Sequence, residues 1–142
     1  MSGLAVDIKP LADAVLAELR GTANLTVYDG HVPTQADGSL PSLPYVAVYM
    51  DTGDITGEGL DGSSNRLDLM VWMNTSGATA DSVRIVSGKA RGALLDKRLT
   101  VPGWSCWPIR YFASQPVRRD DDVTGQVVFL ASDQYRLSAD RA

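Results

Sequence analysis

Asp51-Thr52-Gly53, at the end of the apolar run 45–50, is the residue pattern in this chain best suited to acid–base chemistry. Two such carboxylates sharing one proton can activate water for peptide hydrolysis, supplied by two Asp-Thr/Ser-Gly loops in one chain or by one loop from each half of a homodimer. The chain has one copy, so only a homodimeric aspartic-protease site built on Asp51 is open to it. The other reading of the same residues is a plain loop.

The remaining candidates each lack a partner. Asp51, Asp54, Glu58 and Asp61 are acidic enough to attract calcium, but their spacing does not give the alternating oxygen ligands, central glycine and closing glutamate of an EF-hand loop. Gly88-Lys89 is not a phosphate loop, because Val83 stands where the first glycine is needed and no Ser or Thr follows the lysine. His31 is the only histidine, in a segment bounded by Pro and Gly, and reads as a turn residue. Cys106, between Trp104 and Trp107, reads as a buried thiol with no activating base. The expectation is a chain with no catalytic residues, no metal site and no cofactor.

Composition is consistent with that. With 142 residues the chain is long enough for one domain, 1–142, able to bury a core without disulfide or metal staples. Its 44% hydrophobic and 21% charged residues are ordinary for a globular protein. A net charge of −4 argues against autonomous binding of nucleic acid, which rests on clustered basic surface. The single cysteine excludes an internal disulfide framework and points to a cytosolic history. The first ten residues lack the pattern of a signal peptide, and no apolar run approaches the roughly 20 residues of a membrane helix, so no membrane contact is expected.

These residues must be positioned by regular elements. Leu11, Ala14, Val15, Leu16 and Leu19 recur at helical spacing, with Pro10 before them and Gly21 after. Residues 25–28 form a short strand, and Pro33, Gly38, Pro41 and Pro44 break the next segment into a surface loop. Residues 45–50 are apolar on both faces; residues 65–73 alternate, with Leu67, Leu69, Val71 and Met73 on one side. Together they predict a hairpin with a long connecting loop, 51–63.

Residues 74–77 offer capping chemistry for a second helix marked by Ala80, Val83, Val86, Ala90, Ala93 and Leu94 and ending near Asp96. Gly88 and Gly92 on adjacent turns each cost up to about 1 kcal/mol, which a close packing partner would explain. Residues 99–101 and 104–112 read as strands, with Pro108 arguing for an edge or bulge, and a last strand carries Val127, Phe129, Ala131, Tyr135 and Leu137. Residues 138–142 read as a flexible tail. Runs of strands broken by two helices predict α+β: one mainly antiparallel or mixed sheet with both helices on one face.

Two segments are suited to contact between chains. A loop as long as 51–63 is functional or disordered, and it carries Asp51, Asp54, Glu58 and Asp61. The run Arg118, Arg119, Asp120, Asp121 and Asp122 sets two cations beside three anions, a solvated loop or a register-fixing intersubunit contact. Trp72, Trp104, Trp107, Tyr111 and Phe112 are core candidates first and interface candidates second.

The opening helix, the strand 25–28, the proline-rich loop, Pro44-Tyr45-Val46-Ala47-Val48 leading through a loop to 66–73, the second helix and the ending 127–137 together resemble the tail terminator, or tail-completion, proteins of long-tailed bacteriophages. The resemblance covers nearly the whole chain and rests on layout. It implies a small α+β subunit that forms a ring, expected to be hexameric, which caps the tail tube, stops its polymerisation and presents a surface to the head connector. The implied partners are other copies of the chain, the major tail tube protein and the head–tail connector. The implied location is the head-proximal end of the virion tail, assembled in the host cytoplasm, with genomic DNA passing through the ring unbound. Another head-to-tail joining protein is the nearest alternative reading, the homodimeric protease a distant one, and a stand-alone ligand-binding module a third.

Overall fold

A computed structural model describes residues 6–56, 64–121, 123 and 125–142. Helix α1 (Lys9–Arg20) carries Pro10 in its first turn, where a missing N–H breaks no helical bond, and buries Leu11, Val15, Leu16 and Leu19. Strands β1 (Val27–Asp29), β2 (Tyr45–Met50), β3 (Asp54–Thr56) and β4 (Arg66–Gly77) follow. Helix α2 (Ala80–Leu94) then leads to β5 (Thr100–Val101), β6 (Trp104–Cys106), β7 (Arg110–Arg119) and β8 (Phe129–Arg141).

These strands form one mixed sheet, curled into a half-barrel. Its backbone is the antiparallel ladder of β4 and β8, in register from Arg66↔Asp140 to Gly77↔Phe129. On the outer side of β4, β2 pairs antiparallel near the Gly77 end and β3 near the Arg66 end, while β1 adds to β2 in parallel. On the outer side of β8, β6 pairs with residues 139–141 and β7 with residues 129–136.

Alternation decides which face is covered. Leu67, Leu69, Val71 and Met73 of β4, Tyr135, Leu137 and Ala139 of β8, and Val46 and Val48 of β2 share one core with the buried residues of both helices. Both helices therefore pack on the same face, as α+β patterning predicts. The opposite face carries Arg66, Asp68, Met70, Trp72, Asn74 and Ser76 of β4, all half-buried.

Four local expectations change. The strand predicted over 65–73 continues to Gly77, so residues 74–77 cap nothing; the N-cap is Thr79, whose hydroxyl accepts from the Ser82 N–H at 3.0 Å. Part of the long hairpin loop is strand, since Asp54–Thr56 pairs with β4, and Glu58 and Asp61 lie outside the described residues. Residues 138–141, expected to trail from the fold, belong to β8: buried Leu137 and Ala139 alternate with polar neighbours, and the Arg141 N–H donates to the Asn65 carbonyl at 2.9 Å. Arg118 and Arg119 end strand β7 instead of lying in a loop.

Candidate assembly surfaces

The acid of the Asp-Thr-Gly tripeptide has a backbone task. Asp51 Oδ1 accepts from the Gly53 N–H at 2.9 Å and from the Met70 N–H at 3.1 Å, so it closes the turn between β2 and β3 and ties that turn to β4. Gly53 sits at φ +84°, and a Cβ there would lie 2.6 Å from Leu67 Cδ1. Both constraints call for glycine. The tripeptide thus joins two collinear strands in a way that steric and hydrogen-bonding needs explain.

Beyond the turn, Asp54 stands directly across from Asp68, a like-charge pair that would weaken the ladder if unrelieved. Asp68 is relieved by two hydroxyls: Thr56 Oγ1 donates to Oδ2 at 3.0 Å and Ser138 Oγ donates to Oδ1. Asp54 remains exposed on the edge strand. A groove of about 380 Å³ opens beside the turn, between α1 and the ends of β1 and β2, rimmed by Asp13, Asp29 and Asp51.

Across the sheet lies a different edge. β7 is ten residues long and hydrogen-bonds to β8 alone among the described strands, and none of its residues is buried. Tyr111 is 49% and Phe112 56% exposed. Trp107, just before the strand, is also exposed, but it has polar work: its indole N–H donates to Asp140 at 2.9 Å, and the Arg66 guanidinium lies 5.3 Å from its ring centroid. Register shifts at Phe112 and at Pro116-Val117 interrupt the pairing of β7 with β8.

Helix α2 anchors the inner margin of this edge. Arg91 Nε and Nη2 donate to the two oxygens of Asp133 at 2.9 and 2.8 Å, with Ser87 Oγ donating at 3.1 Å. The Asp133 side chain is 6% exposed, so these bonds compensate a carboxylate removed from water. The same arginine lies 5.8 Å from the Tyr111 ring centroid, and its partner keeps its guanidinium firmly charged. Behind it, burial pushes the Tyr135 phenol up to about 12. Gly88 lines a groove of about 350 Å³ between α2 and β7, and a Cβ at Gly88 or Gly92 would meet nothing within 4 Å. No packing inside the described chain accounts for either glycine.

The expected interface residues thus fall into two groups on opposite sides of the β4–β8 ladder, with Trp72 in the middle of the sheet between them. Asp51 and Asp54 lie at the β2–β3 edge, and Trp72, half-buried on the uncovered face, is flanked by Tyr49 and Gln134. Arg118, Arg119, Asp120 and Asp121 lie at the far end of β7, where Arg119 is 3.8 Å from Asp121; Asp122 is outside the described residues. The pattern over 104–112 predicts strand with Tyr111 and Phe112 first of all in the core; it reveals neither that β7 runs on to Arg119 with both aromatics presented to solvent, nor the place of Asp133. A charged residue at an inward position between Ala131 and Tyr135 was the available signal for the latter. Among the described residues no cluster of three or more His, Cys, Asp or Glu side chains is placed to hold a metal ion.

The geometry defines a class: a curled mixed sheet with two helices on one face and, among the described strands, β3 and β7 each paired along one side only. No protein-family model matches the chain, and no curated protein is significantly similar to it. Solved structures do share the fold. A chain from the virion of a native gene transfer agent particle superposes with a TM-score of 0.65 at 17% identity, over 92% of this chain and 94% of that one. A second solved chain gives a TM-score of 0.58 at 12% identity, covering 94% of this chain and 96% of that one.

Proposed function

We propose that this chain is a structural subunit of a phage-type virion, and specifically a tail terminator: copies close into a ring that caps the tail tube, ends its polymerisation and offers the head connector its attachment surface. The observation that carries this reading is the end-to-end likeness to a chain of a gene transfer agent virion, covering more than nine-tenths of both chains. The layout of the sequence points the same way. Among the described strands, β3 and β7 each pair along one side only and lie on opposite sides of the β4–β8 ladder, which supplies what a repeated contact needs, since a closed ring joins two different patches of one surface. On this reading the protein works through interfaces and not through a catalytic residue, and its partners are its own copies, the tube protein and the connector. DNA passes through the ring unbound.

The test is tube growth. Polymerisation of the cognate tail tube protein, followed by light scattering and electron microscopy, should give shorter tubes as the chain is added at substoichiometric amounts. Tubes of unchanged length, with no chain bound at their ends, would reject the reading. Binding to the head connector without binding to tube ends would instead assign the chain to another head-to-tail joining role.

A further inference from the structure

We propose that, in the ring inferred above and resting on that reading, the Arg118 and Arg119 end of β7 of one copy seats in the acid-rimmed groove between α1 and the β2–β3 turn of the next copy. A heterologous contact needs two unlike patches facing different ways on the same subunit. The groove and β7 meet that need: β2 lies on one side of the β4–β8 ladder and β7 on the other.

Charge selects the pairing. Three carboxylates, Asp13, Asp29 and Asp51, rim the groove against one ammonium, Lys9, which is already bound to Asp13 at 2.6 Å. Asp29 is exposed and makes no ion pair among the described residues, and Asp51 uses only Oδ1 for backbone amides. The groove therefore holds uncompensated negative charge over an apolar floor of Ile8, Leu16 and Met50, with Tyr49 at its margin. Strand β7 itself is the opposite, with three arginines and no acid over its ten residues, although Asp120 and Asp121 follow directly after Arg119. Asp96 takes Arg110 and Asp121 holds Arg119 loosely, while Arg118 has no ion-pair partner among the described residues. A guanidinium suits such a seat because it can fork across carboxylates and lie flat on a tyrosine ring.

The form of β7 argues for side-chain seating over continuous sheet extension. Pro116 removes a donor from the strand, and the register shift between Gln115 and Arg118 breaks its regularity immediately before the arginines. Such features block open-ended edge pairing, which would build fibres. They leave Arg118 and Arg119 projecting beyond the irregularity, where a discrete contact can form and repeat until the ring closes.

Sedimentation velocity of the full-length chain over a range of concentrations, with and without tail tubes, tests the seat using Arg118→Glu, Asp29→Arg and the combined variant. Each single reversal should weaken self-association by about tenfold or more, and the combined variant should recover most of it, because the swapped pair is again complementary. Both residues are exposed, so melting curves should match the native chain; Arg118→Gln, which removes charge without reversing it, should show a smaller loss. Single reversals that assemble like the native chain, a combined variant no better than either single, or a native chain that stays monomeric with and without tubes would overturn the seat. If Arg118→Glu assembles normally and still caps tubes, the seat is wrong and the terminator reading stands. If the charge swap behaves as expected but the native chain ignores tube ends, the terminator reading fails and the seat stands.

Discussion

Strands β4 and β7 both pair with β8, one along each side, yet they have opposite relations to solvent. Along β4 every second residue is buried, from Leu67 to Gly77; along β7 none is. The helices cause the difference: they cover β4 and the inward face of β8 but leave β7 as a flange held by backbone pairing, the Arg91–Asp133 anchor and the Tyr111–Tyr135 edge contact. One neighbour of β8 is committed to folding. The other is free to be selected for contact, and residues that a core would reject, such as Arg118 and Arg119, are tolerated there.

That contrast can be broken first at β4. Leu69 is fully buried, so Leu69→Ala should destabilise the chain by about 3 kcal/mol in denaturant unfolding, through lost burial and a residual cavity. A loss below about 1 kcal/mol would mean that β4 is not the folding strand described. Next in size is the anchor: Arg91→Ala strands the buried Asp133 carboxylate and should cost roughly 2 kcal/mol, whereas an equal loss from Arg84→Ala, whose pair with Asp81 is exposed, would deny Arg91 any special place.

Acid should act more gently. Arg66, and then the Trp107 indole N–H, hold the Asp140 carboxyl below its ordinary value of 3.8. The folded value is the lower of the two, so the stabilisation is complete above about pH 4 and is lost as pH falls through the folded value. Melting temperature against pH should therefore fall less steeply below pH 4 in Asp140→Asn than in the native chain; parallel curves would remove Asp140 from the acid limb. The smallest effect on stability belongs to the flange. Phe112→Ser should stay within about 0.5 kcal/mol of the native chain, because no core surrounds it. A larger loss would show that β7 carries folding energy after all.

The same contrast explains what could be read from the sequence. The covered half announces itself: helical spacing in α1 and α2, and the alternation of Leu67 to Met73, fall where the structure has them, because burial on one face imposes a period. β7 has no such period, since both its faces are wet: its first residues fall in the run 104–112 that reads as strand, and its last, Arg118 and Arg119, in a charged run that reads as a loop. Alternation is also weak where the inward residues are small, and for that reason the last residues of β8, with Ala139 between Ser138 and Asp140, read as a tail. Pairings that need register lie further out of reach. Arg66 with Asp140 and Arg91 with Asp133 are each separated by more than forty residues, and nothing local in the chain links them. At the candidate surfaces, Asp51 was visible as a residue of interest, but its carboxylate proves to cap a turn between strands, a role set by the Gly53 and Met70 amides.

Capping is seen most directly by electron microscopy of cognate tail tubes mixed with end-labelled chain. A tail terminator should give one ring of label at a single end of each tube and none along its length, with growth stopped at the labelled end. Label scattered along the tube walls, or ends that stay bare at saturating chain concentration, would contradict the terminator reading.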